Sequence, residues 1–352
     1  MRKNFTKLLV LGTVFLSVHS YGQNDPYYTH YMLNKLAFNP AAAGEKDAIC
    51  VNGLTHQQWL GQRAEDPTYD PRYNPTGGQG IWFNGVNPVT NAFSITAPLL
   101  KNNQLGVGFQ VITDQLGYHK NTYMRGSLAY KLRMGRKLPD GSTDQTLAIG
   151  ADFGLAQVQL DGTKYNPLQS GDPQIPTSLV SGGAFDMGAG IYYTHQRLFD
   201  GFYAGVSMTH LTGPTISVPG NINFTANRYL YALAGSRHDF GSLAIMPSIL
   251  VKALGAPLQV DLGIRGMLND KLVGGLNLRS GDAISLLLGY YVMPNLYVGY
   301  SYDITVLSGV SQYIKSGTHE LFVSYCFDIK TPPPSGPKPK YNVRYLEGYT
   351  LY

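Results

Sequence analysis

Nine charged side chains carry most of the chemical potential of this chain: Arg125, Lys131, Arg133, Asp152, Asp186, Asp261, Arg265, Arg279 and Asp303. Each falls in a stretch where apolar residues recur at every second position, and each takes the opposite register. Between 121 and 134, Gly126, Leu128, Tyr130, Leu132 and Met134 share one face, and Arg125, Lys131 and Arg133 share the other. Such a set does electrostatic work, pairing charges or selecting ions. A pore selective for one kind of ion would favour one sign. The mixture of signs suggests internal pairing in a partly filled interior, and its plainest use is to stabilise the fold.

Two cysteines, Cys50 and Cys326, are the only redox-active pair. Alternation puts both on the polar face, Cys50 at the start of the first strand and Cys326 near the end of the last. In a closed sheet those strands are neighbours. An oxidising compartment would then permit a disulfide if the Cα atoms come within about 7 Å. Stagger between the strands could instead leave the thiols merely close.

Catalytic constellations are not apparent. The eight histidines are scattered, and no zinc spacing, phosphate-binding loop or nucleophile elbow occurs. Ser and Asp are plentiful in the loops without the spacing of a triad. The expectation is a protein that is not an enzyme and takes no cofactor or metal, with a barrel lipase or protease as the remote enzymatic alternative.

The elements that position these residues are strands. In 105–111, Leu105, Val107, Phe109 and Val111 face one way, and Gly106, Gly108 and Gln110 the other. The stretch 296–304 follows the same rule. Fourteen candidates span 49–61, 89–100, 104–113, 121–134, 145–159, 183–196, 201–211, 226–237, 242–252, 257–267, 271–279, 283–292, 296–305 and 317–328. Connections after even-numbered strands are mostly short, while the longest (62–88, 160–182, 212–225 and 306–316) all follow odd-numbered ones. The exception is the moderately long turn 135–144, centred on Pro139-Asp140-Gly141. An even count with short turns at one end and long loops at the other predicts an all-β fold, a transmembrane antiparallel barrel in the outer membrane. Lipid then lies outside and the charges line the lumen, because a charge facing lipid near the midplane costs about 2–4 kcal/mol.

Composition agrees. Charged residues make up only 14%, with 26 Tyr and 41 Gly. Tyrosine suits the membrane interfaces and glycine lets strands bend. Of the formal +5 charge, residues 1–7 hold +3 and the tail from Lys330 another +3, so residues 8–329 carry −1. Nothing here points to nucleic acid. Arg2, Lys3 and Lys7, an apolar run from Leu8 to Val18, and small Ser20 and Gly22 read as a secretory signal over 1–22.

Two segments flank the barrel of 49–328. The first, 23–48, is rich in Tyr27, Tyr28, Tyr31, Met32, Leu33, Leu36 and Phe38, too apolar to leave in water. It is expected to be ordered on the periplasmic side or tucked into the barrel mouth, or else to begin the first strand. The second, 329–352, opens with a Pro-rich spacer and ends in an aromatic, basic run. There Tyr341, Arg344, Tyr345 and Leu346 are candidates to bind a periplasmic partner, the alternative being a free tail.

Several passages resemble the PorP/SprF family, outer-membrane barrels of the type IX secretion system and gliding machinery. The most specific is Asp25-Pro-Tyr-Tyr-Thr-His-Tyr-Met-Leu-Asn-Lys-Leu-Ala-Phe-Asn-Pro-Ala-Ala-Ala-Gly44. It is similar to the family pattern of a Tyr-Met followed by Asn-Pro-Ala-x-x-Gly, here Tyr31, Met32, Asn34, Asn39, Pro40 and Gly44. His56-Gln-Gln-Trp59, 203–211, Ser301-Tyr-Asp-Ile304 and Gly317-Thr-His-Glu320 follow in order. Gln57 stands where the family more often has arginine, and loop 62–88 is longer than usual. The resemblance implies a non-enzymatic component that supports secretion and surface anchoring of an adhesin or its C-terminal domain. It also implies contact with periplasmic secretion and gliding machinery. The rival reading is a general or solute-specific porin.

Overall fold

The computed structural model describes residues 25–46, 48–60, 63–64, 81–82, 87–99, 103–138, 143–164, 176–220, 222–255, 257–306 and 316–328. The expected signal over 1–22 and the tail with Tyr341, Arg344, Tyr345 and Leu346 lie outside them.

Fourteen strands close into one antiparallel barrel among the described residues. They are β1 (Ala48–Gln57), β2 (Val89–Leu99), β3 (Leu105–Leu116), β4 (His119–Lys137), β5 (Thr143–Asp161), β6 (Leu179–His195) and β7 (Phe202–Thr209). Then follow β8 (Tyr229–Ser236), β9 (Leu243–Ala253), β10 (Gln259–Leu268), β11 (Leu272–Arg279), β12 (Ala283–Met293), β13 (Leu296–Thr305) and β14 (Thr318–Asp328). Every strand pairs with the next in sequence, and β14 returns to β1 with Ala48 opposite Asp328 and Gln57 opposite His319. Neighbouring strands thus pair all the way round the wall, the condition for crossing a lipid core with strands. No helix of the described residues is long and apolar enough to cross a membrane.

Period-two alternation decides which way the side chains point. On β4 and β5, Leu128, Tyr130, Leu132, Ile149, Phe153 and Leu155 are exposed on the outside. Between them Arg125, Ser127, Lys131 and Asp152 are buried within. Reversing one strand's register would put its charges in lipid, so the register is strongly specified.

Strand limits depart from the sequence expectation in three informative places. β3 and β4 run on to Leu116 and back from His119, joined only by Gly117 and Tyr118, with Gly117 at φ +62°. The expected loop over 135–144 shrinks, because Lys137 pairs with Thr143 beyond a bulge after Met134. Gly135 takes φ +81° there, and Asp144 Oδ1 accepts the Arg136 N–H at 2.8 Å. The expected loop 212–225 contains a hairpin, Thr215–Val218 with Ile222–Thr225. Its Ile216 and Val218 are buried, Val218 packing with Leu160 and Val180, and Phe224 meets the His119 ring edge-on. The hairpin therefore folds over the long-loop end of the barrel, where β5 ends and β6 begins.

Cys50 and Cys326 are directly opposite in register and joined as a disulfide, with Cα atoms 4.1 Å apart. It crosses the seam where the first and last strands meet and closes a loop of 276 residues. Replacing both (Cys50→Ser with Cys326→Ser) is expected to lower unfolding stability by at most about 5.6 kcal/mol, the chain-entropy value for so long a loop. Urea titration of the protein in detergent micelles checks this; an unchanged midpoint would show the seam to be held by the strands alone.

Candidate functional site

The lumen is filled by the chain's own N-terminal segment. Residues 25–46 are not on the periplasmic side, as one expectation had it, but thread the barrel interior. The reason is reciprocal: the segment carries aromatic bulk that water would not solvate well, and the wall carries charges that need partners. Tyr28, Tyr31, Met32 and Phe38 are at most 3% exposed and form one core with wall residues Leu233, Tyr192, Tyr231 and Phe322.

Anchors at the long-loop end come first. Asp25 faces His210 Nε2 at 2.8 Å and accepts from the hydroxyls of Tyr231 (2.9 Å) and Thr209 (3.3 Å). Its backbone carbonyl accepts from Lys252 Nζ at 2.7 Å. The other nitrogen of His210 lies 2.8 Å from Asp186, which also pairs with Arg125 at 3.1 Å. His210 thus stands between the carboxylates of Asp25 and Asp186, with Arg125 Nη2 3.2 Å from its Nε2.

Glu320 of β14 is the centre of the next group. One carboxylate oxygen accepts the His30 backbone N–H at 2.8 Å and meets His30 Nδ1 at 2.6 Å. The other accepts the Thr29 N–H at 2.9 Å and meets His56 Nδ1, from β1, at 2.8 Å. Plug, first strand and last strand are thus held on one buried carboxylate. Beside it the Thr29 hydroxyl donates to Asp303 at 2.8 Å. Arg279 bridges Asp261 (3.3 Å), Asp303 (3.2 Å) and Asp282 (3.4 Å), and its guanidinium lies over the Tyr27 ring at 4.2 Å.

Toward the short-turn end the segment makes two 3₁₀ turns, Lys35–Ala37 and Pro40–Ala42. Pro40 suits the first position of its turn, and Asn39 caps it by accepting the Ala41 N–H at 2.9 Å. The Asn39 amide also donates to the Ile191 carbonyl at 2.9 Å. The wall opposite is glycine for want of space: a Cβ on Gly150 would stand 2.5 Å from Ala41 Cα, and one on Gly205 2.7 Å from Asn39 Nδ2. Gly44 takes φ +62° with Ala97 and Gly106 backbone against it. Lys35 pairs with Glu45 at 2.6 Å and lies 3.7 Å over the Tyr203 ring; Lys131 donates to the Gly44 carbonyl. A cavity of about 50 Å³ remains here, lined in part by Glu45, Lys131, Arg133 and Tyr192.

The structure therefore places Arg125, Lys131, Asp152, Asp186, Asp261, Arg265, Arg279 and Asp303 buried on the lumen side, with Arg133 half-buried at the cavity. Tyr31, Met32, Asn34, Asn39, Pro40 and Gly44 are all buried in the plug. Tyr31 meets Ser248 Oγ at 3.0 Å, and Asn34 accepts from Ser94 at 3.1 Å. Sequence reasoning missed Glu320, His56 and Lys252, although the alternation that nominated Asp303 also turns these inward. It missed Asp25, His30 and His210 because the contacts that join them to Tyr231, Glu320 and Asp25 exist only once the barrel has closed around the segment. Among the described residues no group of His, Cys, Asp and Glu could hold a metal ion.

Strand-crossed, apolar outside, charged and self-filled inside, this is an outer-membrane β-barrel with an N-terminal plug. The chain belongs to the family of type IX secretion system membrane proteins PorP/SprF, whose pattern it matches over residues 20–325. No curated protein sequence matches it. Similar solved structures include the Ralstonia pickettii toluene transporter TbuX (13% identity, 82% of this chain and 92% of that one, TM-score 0.47). Others are a Pseudomonas aeruginosa FadL homologue (12%, 82% and 92%, TM-score 0.43) and the CymD monoaromatic hydrocarbon channel (13%, 89% and 95%, TM-score 0.44).

Glu320→Ala leaves two imidazoles and two backbone N–H groups without their shared acceptor. It is expected to cost about 3–5 kcal/mol, as for removal of one partner from a buried ionic group, and to expose 25–46 to limited proteolysis. Unchanged unfolding and an intact plug after protease treatment would show that Glu320 does not hold the segment.

Proposed function

We propose that this protein is a non-enzymatic component of the type IX secretion system. In this reading it supports the secretion and surface anchoring of an adhesin or similar cargo and docks to periplasmic machinery. Family membership supplies the system. The observation that carries the reading further is the self-filled lumen: with 25–46 inside the barrel, its useful surfaces are the long-loop end, the short-turn end and the tail beyond Asp328. A solute porin, the alternative, works through its lumen, and a segment held by Asp25, Glu320 and Lys35 stands in the way of that use.

Within this proposal the Pro-rich run from Thr331 is an extended spacer, reaching about 3 Å per residue. It presents Tyr341, Arg344, Tyr345 and Leu346 to a periplasmic protein, aromatic and Arg side chains being common interface anchors. Deleting 331–352 is expected to leave the barrel assembled in the outer membrane while abolishing display of the adhesin on intact cells, read with an antibody to that adhesin. Co-purification of an adhesin with the full-length barrel tests the wider reading. Unchanged display would reject the role of the tail, and a barrel that brings down no secreted protein would reject the adhesin role.

A further inference from the structure

The direction in which the plug runs has a consequence for the N-terminus. Asp25 is bound by Thr209 at the end of β7, Tyr231 near the start of β8 and Lys252 near the end of β9. All three lie at the long-loop end. Tyr27 Oη accepts from Gln58, one residue beyond β1 at that same end. Thr29 and His30 sit lower, on Asp303 and Glu320. Lys35, Glu45 and Gly44 sit on Tyr192, Ala97 and Gly106, near the short-turn end, and Ala48 opens β1 there. From Asp25 to Lys46 the chain therefore descends the whole lumen, antiparallel to β1.

In an outer-membrane barrel the short turns face the periplasm and the long loops face out. We infer that the plug enters the lumen from outside, with its Asp25 end at the outer mouth of the barrel. The first described residue of the plug is then part of the outer face of the barrel, and its last meets the periplasmic end. The inference rests on the path of residues 25–46, not on the secretion reading, and its failure would leave that reading standing.

Single-cysteine labelling tests it, since Cys50 and Cys326 are bonded to each other and give no background. The probe is a bulky, membrane-impermeant maleimide applied to intact cells and to cells with a permeabilised outer membrane. Asn223→Cys, on the exposed face of the 215–225 hairpin, marks the outer mouth. Asp270→Cys, 59% exposed in the turn after β10, marks the periplasmic end. Gln23→Cys is expected to label on intact cells to the same extent as Asn223→Cys, while Asp270→Cys labels only after permeabilisation. If the Gln23→Cys barrel assembles poorly, Asn24→Cys serves in its place. Labelling that follows Asp270→Cys, or that needs the protein to be unfolded first, would overturn the inference.

Discussion

The buried carboxylate of Glu320 states the constraint under which this protein is built. A charge inside a closed barrel is away from bulk water and must be met by fixed donors or be costly. The wall alone gives Glu320 one donor, His56. The other three contacts come from Thr29 and His30, which belong to the plug. The same division recurs above and below it: Asp25 completes His210 and Lys252, and Lys131 of the wall meets the Gly44 carbonyl of the plug. Wall and plug are each electrostatically incomplete alone, so the barrel is specified with its contents.

Shape follows the same logic. The Asn39-Pro40-Ala-Ala-Ala-Gly44 run is narrow, so its backbone can lie against the wall, and Gly106, Gly150 and Gly205 leave the wall equally bare. A side chain on either surface would force them apart. The Asn39–Gly44 run thus has a local physical meaning: a capped 3₁₀ turn and a left-handed glycine that steer the chain from the lumen into β1. Once β1 starts, the Cys50–Cys326 bond fixes it to β14 at the short-turn end, and the Glu320–His56 contact joins the same two strands near the long-loop end.

Much of the barrel was legible because alternation is a local signal: two residues suffice to say which of them faces lipid. It located all fourteen strands and turned Arg125, Asp186, Arg279 and Asp303 inward. It could not say that 25–46 enters the lumen. That outcome depends on closure of residues nearly 300 positions away in sequence, as in the contact of His30 with Glu320. Tyr27, Tyr28 and Tyr31 announced only that the segment needs cover. The 215–225 hairpin escaped for a different reason: four-residue strands carry too little alternation to stand out from a Gly- and Pro-flanked loop.

The central claim is that the lumen is closed by residues 25–46. Planar lipid bilayer recording of the purified full-length protein tests it most directly. The account predicts incorporation into the bilayer without steady conductance. A large, steady channel from protein whose plug is shown to be intact would contradict it.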